Sequence, residues 1–175
     1  MKKNAVNKPA ARTRHWIACA AGGALLVACG IGSVALGQDQ SAATPKDTIF
    51  ARKILMDMIG RNMDDLEANA GSAKVDLSEG RDHADILSVM LLAFPHLFPP
   101  ATNQWKPNVD RDPGRDTFAA PEVWTSFSDF YKRAQDASQL AFKASRAETE
   151  SAFKDFIAQL RVACDSCHGI YMKAQ

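Results

Sequence analysis

The sequence predicts an all-α fold, an antiparallel four-helix bundle, and three observations lead to this prediction. Apolar residues recur at intervals of three and four in four separate segments, as in helices that bury one face. No segment shows the alternating pattern of a strand, and no internal repeat is present. Short links separate the segments except for one long connection, as in a bundle with a single crossover loop.

The first two helices have recognisable ends. Thr44 followed by Pro45 predicts the start of helix one, and Asn69-Ala70-Gly71 predicts its end. Its predicted core-facing residues are Ile49, Arg52, Met56, Ile59, Met63 and Leu66. Helix two is predicted to begin within 76–78 and to stop at the prolines from Pro95 to Pro100. Its predicted core-facing residues are His83, Ile86, Met90, Ala93 and Leu97.

The second half of the chain predicts a long loop and two further helices. The loop covers 101–120, and its length indicates either a functional segment or a crossover at one end of the bundle. Pro121 is predicted to open helix three, which would end near Arg146. The face of helix three becomes small at Ala134, Ala137, Ala141 and Ala144, which suits either a flat cofactor or close packing of a neighbouring helix. Helix four carries a core-facing stripe of Phe153, Phe156 or Ile157, Leu160, Ala163 or Cys164, Cys167, and Ile170 or Tyr171.

Helix four also carries the motif Cys164-Asp165-Ser166-Cys167-His168. Two cysteines three residues apart, with histidine directly after the second, are the attachment signature of c-type haem. Each thiol can form a thioether with one porphyrin vinyl group, and the histidine can ligate the iron. On a helix these three residues share one face. A zinc site, a redox-active dithiol and a chance match are the alternatives, but no second ligand pair and no βαβ pattern supports the first two.

The N-terminus has the features of a targeting segment. Five basic residues precede an apolar stretch from Trp16 to about Leu36, and no acidic residue occurs before Asp39. Ala35-Leu36-Gly37 suits cleavage before Gln38. Leu26-Val27-Ala28-Cys29 also resembles a lipobox, and an uncleaved membrane anchor is a third alternative. We therefore assign 1–37 to a signal peptide or anchor, 38–45 to a linker and 46–175 to the haem-binding bundle, and we predict export to the periplasm.

Removal of the leader changes the charge of the chain. The leader holds five of the 21 basic residues and none of the 20 acidic residues, so the mature chain has a formal charge of about −4. No basic stripe remains, which argues against nucleic-acid binding. A modest surface charge of this kind suits a periplasmic protein that meets redox partner proteins.

Two residues on the core-facing side of helix one are candidates for haem contacts. Arg52 lies between Ile49 and Met56, where a buried guanidinium would need an anionic partner, and a haem propionate is one. The alternative is that Arg52 extends to solvent. Met56, one turn later, is a candidate sixth iron ligand, although core packing is the common role of such a residue. His83 and His96 are weaker candidates for the same position.

Four features together resemble the cytochrome c′ family, the class II c-type cytochromes, over residues 45–172. They are the haem motif at the C-terminal end, Arg52 with Met56 and Gly60-Arg61-Asn62-Met63, Pro95-His96-Leu97-Phe98-Pro99, and Pro121-Glu122-Val123-Trp124. One feature departs from the family, whose usual basic residue four positions after the histidine is replaced here by Met172, with Lys173 next.

The resemblance implies a left-handed four-helix bundle that holds one covalent haem c and often forms a homodimer through its first two helices. It also implies a choice at the sixth iron position. In one branch an apolar side chain covers an open position that binds nitric oxide or carbon monoxide; in the other a methionine from helix one completes the coordination and the protein carries electrons. The position of Met56 favours the methionine-ligated branch.

The sequence thus predicts a periplasmic one-electron carrier rather than an enzyme, with no catalytic residue. Cys164 and Cys167 would attach the haem, Arg52 would bind a propionate, and His168 and Met56 would ligate the iron. A five-coordinate cytochrome c′ that binds nitric oxide or carbon monoxide is the alternative. We expect redox proteins as partners, diatomic gases and a homodimer as further possibilities, and a membrane association only if the leader is retained or Cys29 is lipidated.

Overall fold

The computed structural model describes residues 43–106 and 117–173, and within these residues it shows five helices and no β-strand. The helices are α1 (Pro45–Gly71), α2 (Leu77–Ala93), α3 (Glu122–Thr125), α4 (Phe127–Ser145) and α5 (Glu150–Tyr171). Two short 3-10 turns, Phe94–Leu97 and Pro100–Thr102, follow α2. The predicted leader, and most of the predicted linker, lie outside the described residues.

The four long helices form the predicted four-helix bundle. α2 packs against α1 and α4, and α5 packs against α4 and α1, so each long helix has two long neighbours. The core includes Met63, Leu66, Leu87, Phe153 and Leu160, all of which are almost completely buried. No helix in the described part of the chain combines the length and the apolar composition needed to cross a membrane.

Helix α1 begins where the sequence predicts. Thr44 accepts a hydrogen bond from the Asp47 backbone amide, and the Asp47 carboxylate accepts one from the Thr44 amide, which is a reciprocal capping box. Asn69 lies inside the last turn rather than beyond it, and its side chain makes two hydrogen bonds to the Asp76 backbone. Asp76 caps α2 through the amides of Ser78 and Glu79, so the short link is fixed at both ends.

The predicted core-facing side of helix two is partly wrong: Met90 and Leu97 are half-buried against the core, but two other predicted residues are exposed. The buried residues are Gly80, Ala84, Leu87, Ser88 and Leu91, whereas Ile86 and Ala93 are exposed. The small residues account for the difference because they allow close helix packing. A Cβ atom at Gly80 would lie 2.5 Å from the ring of Phe153 on α5, and Ser138 on α4 donates a hydrogen bond of 2.8 Å to the Ser88 carbonyl.

The predicted third helix is divided in two. Ser126 leaves helical geometry with φ −124° and ψ 38°, and its hydroxyl makes no capping hydrogen bond. The preceding turn is held elsewhere, because the Trp124 indole donates to the Phe98 carbonyl at 3.2 Å. α3 is therefore fixed to the turn after α2, while α4 packs along α2.

Candidate haem site

All five residues that the sequence nominates line one cavity of the bundle: Arg52, Met56, Cys164, Cys167 and His168. α1 supplies Arg52 and Met56, and the last three turns of α5 supply the other three. His83 and His96 do not line the cavity. His83 Nδ1 lies 3.0 Å from Asn62 Oδ1, and the His96 ring packs edge-on against Tyr131.

The two thiols and the imidazole are partly buried in an apolar wall. Burial raises the pKa of the Cys164 thiol and raises that of Cys167 to about 11. Both thiols are therefore neutral at pH 7. No group of three or more His, Cys, Asp or Glu residues in the described part of the chain is placed to hold a metal ion.

Burial lowers the pKa of His168 against the opposing effect of the nearby Asp165. A lowered pKa keeps the imidazole neutral at physiological pH. Neutral imidazole is the form that ligates metals. His168 is thus in the protonation state that an iron ligand requires.

Arg52 is buried with only 3% of its surface exposed, so the alternative that it extends to solvent is wrong. Its guanidinium donates to the Thr102 hydroxyl at 2.9 Å and to the Thr102 carbonyl at 3.4 Å, and it lies 4.6 Å from the centre of the Phe98 ring. Burial lowers its pKa to about 10, which still leaves a cation at pH 7. Arg52 lines the cavity, but Thr102 and Phe98 already contact its guanidinium. Contact between Arg52 and a propionate therefore stays a prediction.

Met56 is half-buried and reaches the cavity from α1. Met63, two turns further along, also lines the cavity but is buried in the core, with Leu66 as its neighbour there. Met63 and Leu66 thus both pack inside the bundle, as predicted for core-facing residues. Three methionines, rather than one, line the candidate site, since Met172 does so as well.

Most residues of the cavity wall were not predicted as site residues from the sequence. Phe94, Phe98 and Phe130 form an aromatic cluster, with centroids of Phe98 and Phe130 4.9 Å apart. Residues 117–119 also line the cavity, which supports the functional interpretation of the described end of the long loop. Arg161 lines the cavity too. This position could have been predicted from the sequence, because Arg161 lies three residues before Cys164 and seven before His168, on the same helical face.

The small residues of α4 serve both of the purposes that the sequence left open. Ala134 and Ala137 line the cavity, whereas Ala141 and Ala144 are fully buried in the core and do not line it. The first pair leaves room for a flat group, and the second pair allows α2 to approach.

The wall fits a covalently attached haem. Its surface is mostly apolar, it presents two thiols and one imidazole on one helix, and cationic side chains suited to propionates are among its lining residues. Among the described residues Cys164 and Cys167 are the only cysteines. When bound, haem c supplies a one-electron iron couple.

Comparison with known proteins agrees with this geometry. The family model described as Cytochrome C′ matches residues 47–172. The chain belongs to the cytochrome c′ family. It is a haem c-binding protein of the electron-carrier type. A comparison with curated protein sequences finds no match.

Several solved structures share the cytochrome c′ bundle. Cytochrome c′ from Thermochromatium tepidum is 22% identical, with 75% of this chain and 98% of that chain covered and a TM-score of 0.65. Cytochrome c′ from Rubrivivax gelatinosus is 22% identical, with 74% and 98% covered and a TM-score of 0.63. The nitric oxide complex of a mutant cytochrome c prime from Alcaligenes xylosoxidans is 18% identical, with 75% and 98% covered and a TM-score of 0.62. At these identities the likeness shows the fold.

Proposed function

We propose that this cytochrome carries single electrons with His168 and Met56 as the two axial ligands of a low-spin iron. Cys164 and Cys167 hold the haem through thioethers, and Arg52 binds a propionate. The observation that carries the proposal is that Met56, from α1, lines the same cavity as His168, from α5. A thioether ligand raises the reduction potential relative to a second imidazole, and two fixed ligands keep the iron site similar in both oxidation states.

In this proposal the side chains hold the haem iron and shield it from water. The neutral imidazole of His168 and the uncharged thioether of Met56 bind without taking up or releasing a proton, so electron transfer need not be coupled to proton transfer. The aromatic cluster of Phe94, Phe98 and Phe130 excludes water from the wall. No catalytic residue is needed, and we propose that the protein is not an enzyme.

A second candidate function is the binding of nitric oxide or carbon monoxide. One structure similar to this chain is a nitric oxide complex of a cytochrome c prime. A thioether is a weak ligand that a gas could displace, and Met56 is only half-buried. The two functions differ in whether Met56 stays bound to the iron.

The ferric visible and electron paramagnetic resonance spectra of the exported protein test the proposal. We expect a low-spin spectrum in the wild type, a high-spin spectrum in Met56→Leu, and a low-spin spectrum in the control Met63→Leu, whose side chain lines the same cavity. We also expect carbon monoxide to bind the ferrous Met56→Leu variant at least tenfold more tightly than the wild type, because no ligand must be displaced. A high-spin wild type that Met56→Leu leaves unchanged would refute methionine ligation and support the gas-binding function.

We also propose export to the periplasm, as the leader predicts, and electron exchange there with redox partner proteins.

A homodimer is proposed as well. One similar structure is described as a cytochrome c′ with ligand-controlled dimer dissociation. In this chain, exposed apolar residues on α1 and α2 support self-association: Phe50, Ile54, Met58, Ile86 and Val89.

A further inference from the structure

Four side chains of α4 and α5 form a continuous hydrogen-bonded network on the His168 side of the cavity. Tyr171 donates its hydroxyl to Asp129 Oδ2 at 2.6 Å. Arg133 donates to the same carboxylate oxygen through Nε at 2.6 Å, and its Nη1 donates to the Ser166 hydroxyl at 3.0 Å. Asp129 and Arg133 lie one turn apart on α4, whereas Ser166 and Tyr171 lie on α5.

The position of this network along α5 is what gives it significance. Ser166 lies between the two cysteines of the haem motif, two residues before His168, and Tyr171 lies three residues after it. The single turn of α4 from Asp129 to Arg133 therefore holds α5 on both sides of the candidate iron ligand. Arg133 and Tyr171 also line the cavity.

The remaining end of α5 is held by the backbone. The Met172 amide donates to the His168 carbonyl at 3.0 Å, and the Ala120 amide donates to the Tyr171 carbonyl at 2.9 Å. The Tyr171 ring is buried against Phe130, with 5.1 Å between the ring centroids. Tyr171 is thus fixed by its ring, its carbonyl and its hydroxyl, and only the hydroxyl depends on Asp129.

We propose that Asp129, Arg133, Ser166 and Tyr171 are positioning residues that fix the orientation of His168 and of the haem-attachment turn relative to α4. Groups that hydrogen-bond around a metal ligand commonly set its orientation and the properties of the metal. Here the network acts through the helix backbone on either side of the ligand rather than through the imidazole itself. The proposal requires His168 to ligate the iron, but it holds whether or not Met56 does.

Three variants test the network, and one of them, Ser166→Ala, lies at a residue that does not line the cavity. Ser166→Ala removes the bond to Arg133, Tyr171→Phe removes the bond to Asp129 but keeps the ring, and Arg133→Lys keeps the charge but cannot bond Asp129 and Ser166 together. Each is exported with its haem, and attachment is confirmed by the pyridine haemochrome spectrum. The readouts are the ferric electron paramagnetic resonance spectrum and the hydrogen exchange of amides 162–171.

We expect each variant to shift or broaden the ferric resonance and to speed exchange across 162–171 by about fivefold, as the loss of one hydrogen bond implies. Two matched controls, Tyr131→Phe on α4 and Ser151→Ala near the start of α5, should leave both readouts unchanged. The effects of Ser166→Ala and Arg133→Lys should add less than fully in the double variant, because both changes alter the Arg133–Ser166 bond.

The proposal would be overturned if Ser166→Ala and Tyr171→Phe gave spectra and exchange rates equal to those of the controls. It would also be overturned if Arg133→Lys matched the wild type in both readouts, because charge alone would then be sufficient. Failure of methionine ligation would appear separately. The wild-type spectrum would then be high-spin, while the three variants would still exchange amides 162–171 faster than the wild type.

Discussion

Arg161 connects the haem-attachment helix to α1 mainly through the carboxylate of Glu67, with Asp64 Oδ1 more distant at 3.8 Å. Its Nε donates to Glu67 Oε1 at 2.6 Å, and its Nη2 donates to Oε2 of the same residue. This fork-to-fork geometry is the strongest form of an arginine–carboxylate pair. The hydrogen bonds from Arg161 lower the pKa of Glu67, against the opposing effect of burial. The Arg161–Glu67 pair therefore makes folding stability depend on pH, and Arg161 lies only three residues before the haem motif.

The sign of this pH dependence follows from the lowered pKa. A carboxylate whose pKa is lower in the folded state contributes stability above its unfolded pKa of about 4.3 and loses it as the pH falls through the folded value. Because both side chains are more than a third exposed, solvent screening limits the contribution to about 1 kcal/mol. We expect Glu67→Gln to lower the free energy of unfolding by about that amount at pH 7 and by almost nothing near pH 3.

Urea denaturation at pH 7, 5 and 3 measures this effect. Asp57→Asn is the matched control, because Asp57 pairs with Arg61 one turn away on α1 and both side chains are far more exposed. We expect the control to change the free energy of unfolding by less than half as much at pH 7. A Glu67→Gln effect that is constant across the three pH values would contradict the assignment.

At the scale of elements, the small residues of α4 have two different roles, one at the cavity and one in helix packing. Ala134 is buried at the cavity, where a larger side chain would occupy space intended for the haem. Ala141 is completely buried one turn after Ser138, where α4 approaches the α2 backbone. Added volume should therefore have different consequences at the two positions.

We expect Ala141→Leu to destabilise the fold by about 1–3 kcal/mol through overpacking. Ala134→Leu should instead reduce the haem bound per polypeptide or shift its absorption bands, with a smaller loss of stability. Thermal unfolding and the pyridine haemochrome content, measured on the same samples, separate the two effects. Ala158→Leu on the exposed face of α5 is the control and should change neither. Equal loss of haem at both positions would refute the division of tasks.

The accuracy of the sequence prediction differs between elements for physical reasons. α1 could be placed because its apolar residues occupy one face and a capping box marks its start. The buried face of α2 was partly mispredicted because α2 carries large apolar residues on more than one face. Its packing is decided by the small residues Gly80, Ala84 and Ser88, which a pattern of large apolar residues does not include.

The candidate site shows the same contrast. Cys164, Cys167 and His168 are adjacent in sequence and have one chemical interpretation, and the burial of Arg52 follows from its place in an apolar stripe. By contrast, the network through Arg133 joins residues 33 and 42 positions apart, and no local pattern predicts such contacts. Long-range contacts of this kind depend on how α4 is rotated against α5.

At the scale of the whole molecule, the outer surface of the α1–α2 pair is unusually apolar. Phe50, Ile54 and Met58 follow one another at four-residue intervals on α1 with 66%, 50% and 43% of their surfaces exposed, and Ile86 and Val89 on α2 are 53% and 63% exposed. The two rows are neighbours, because Asn62, one turn after Met58, bonds His83, one turn before Ile86. None of these five residues lines the cavity, so a bound haem would not cover them.

A contiguous apolar surface of this kind is typical of an interaction site, and a second copy of the chain would cover it with an identical surface about a two-fold axis. We therefore expect the wild-type protein to sediment as a dimer and the double variant Ile54→Glu/Val89→Glu to sediment as a monomer, because buried like charges would face each other. Val162→Glu, at an equally exposed apolar position on α5, is the control and should remain dimeric. The haem spectrum should be the same in all three proteins, since the surface lies away from the cavity. A wild type that stays monomeric at concentrations up to about 100 µM, a range in which interfaces of standard size associate, would leave this surface without a partner copy and refute the dimer.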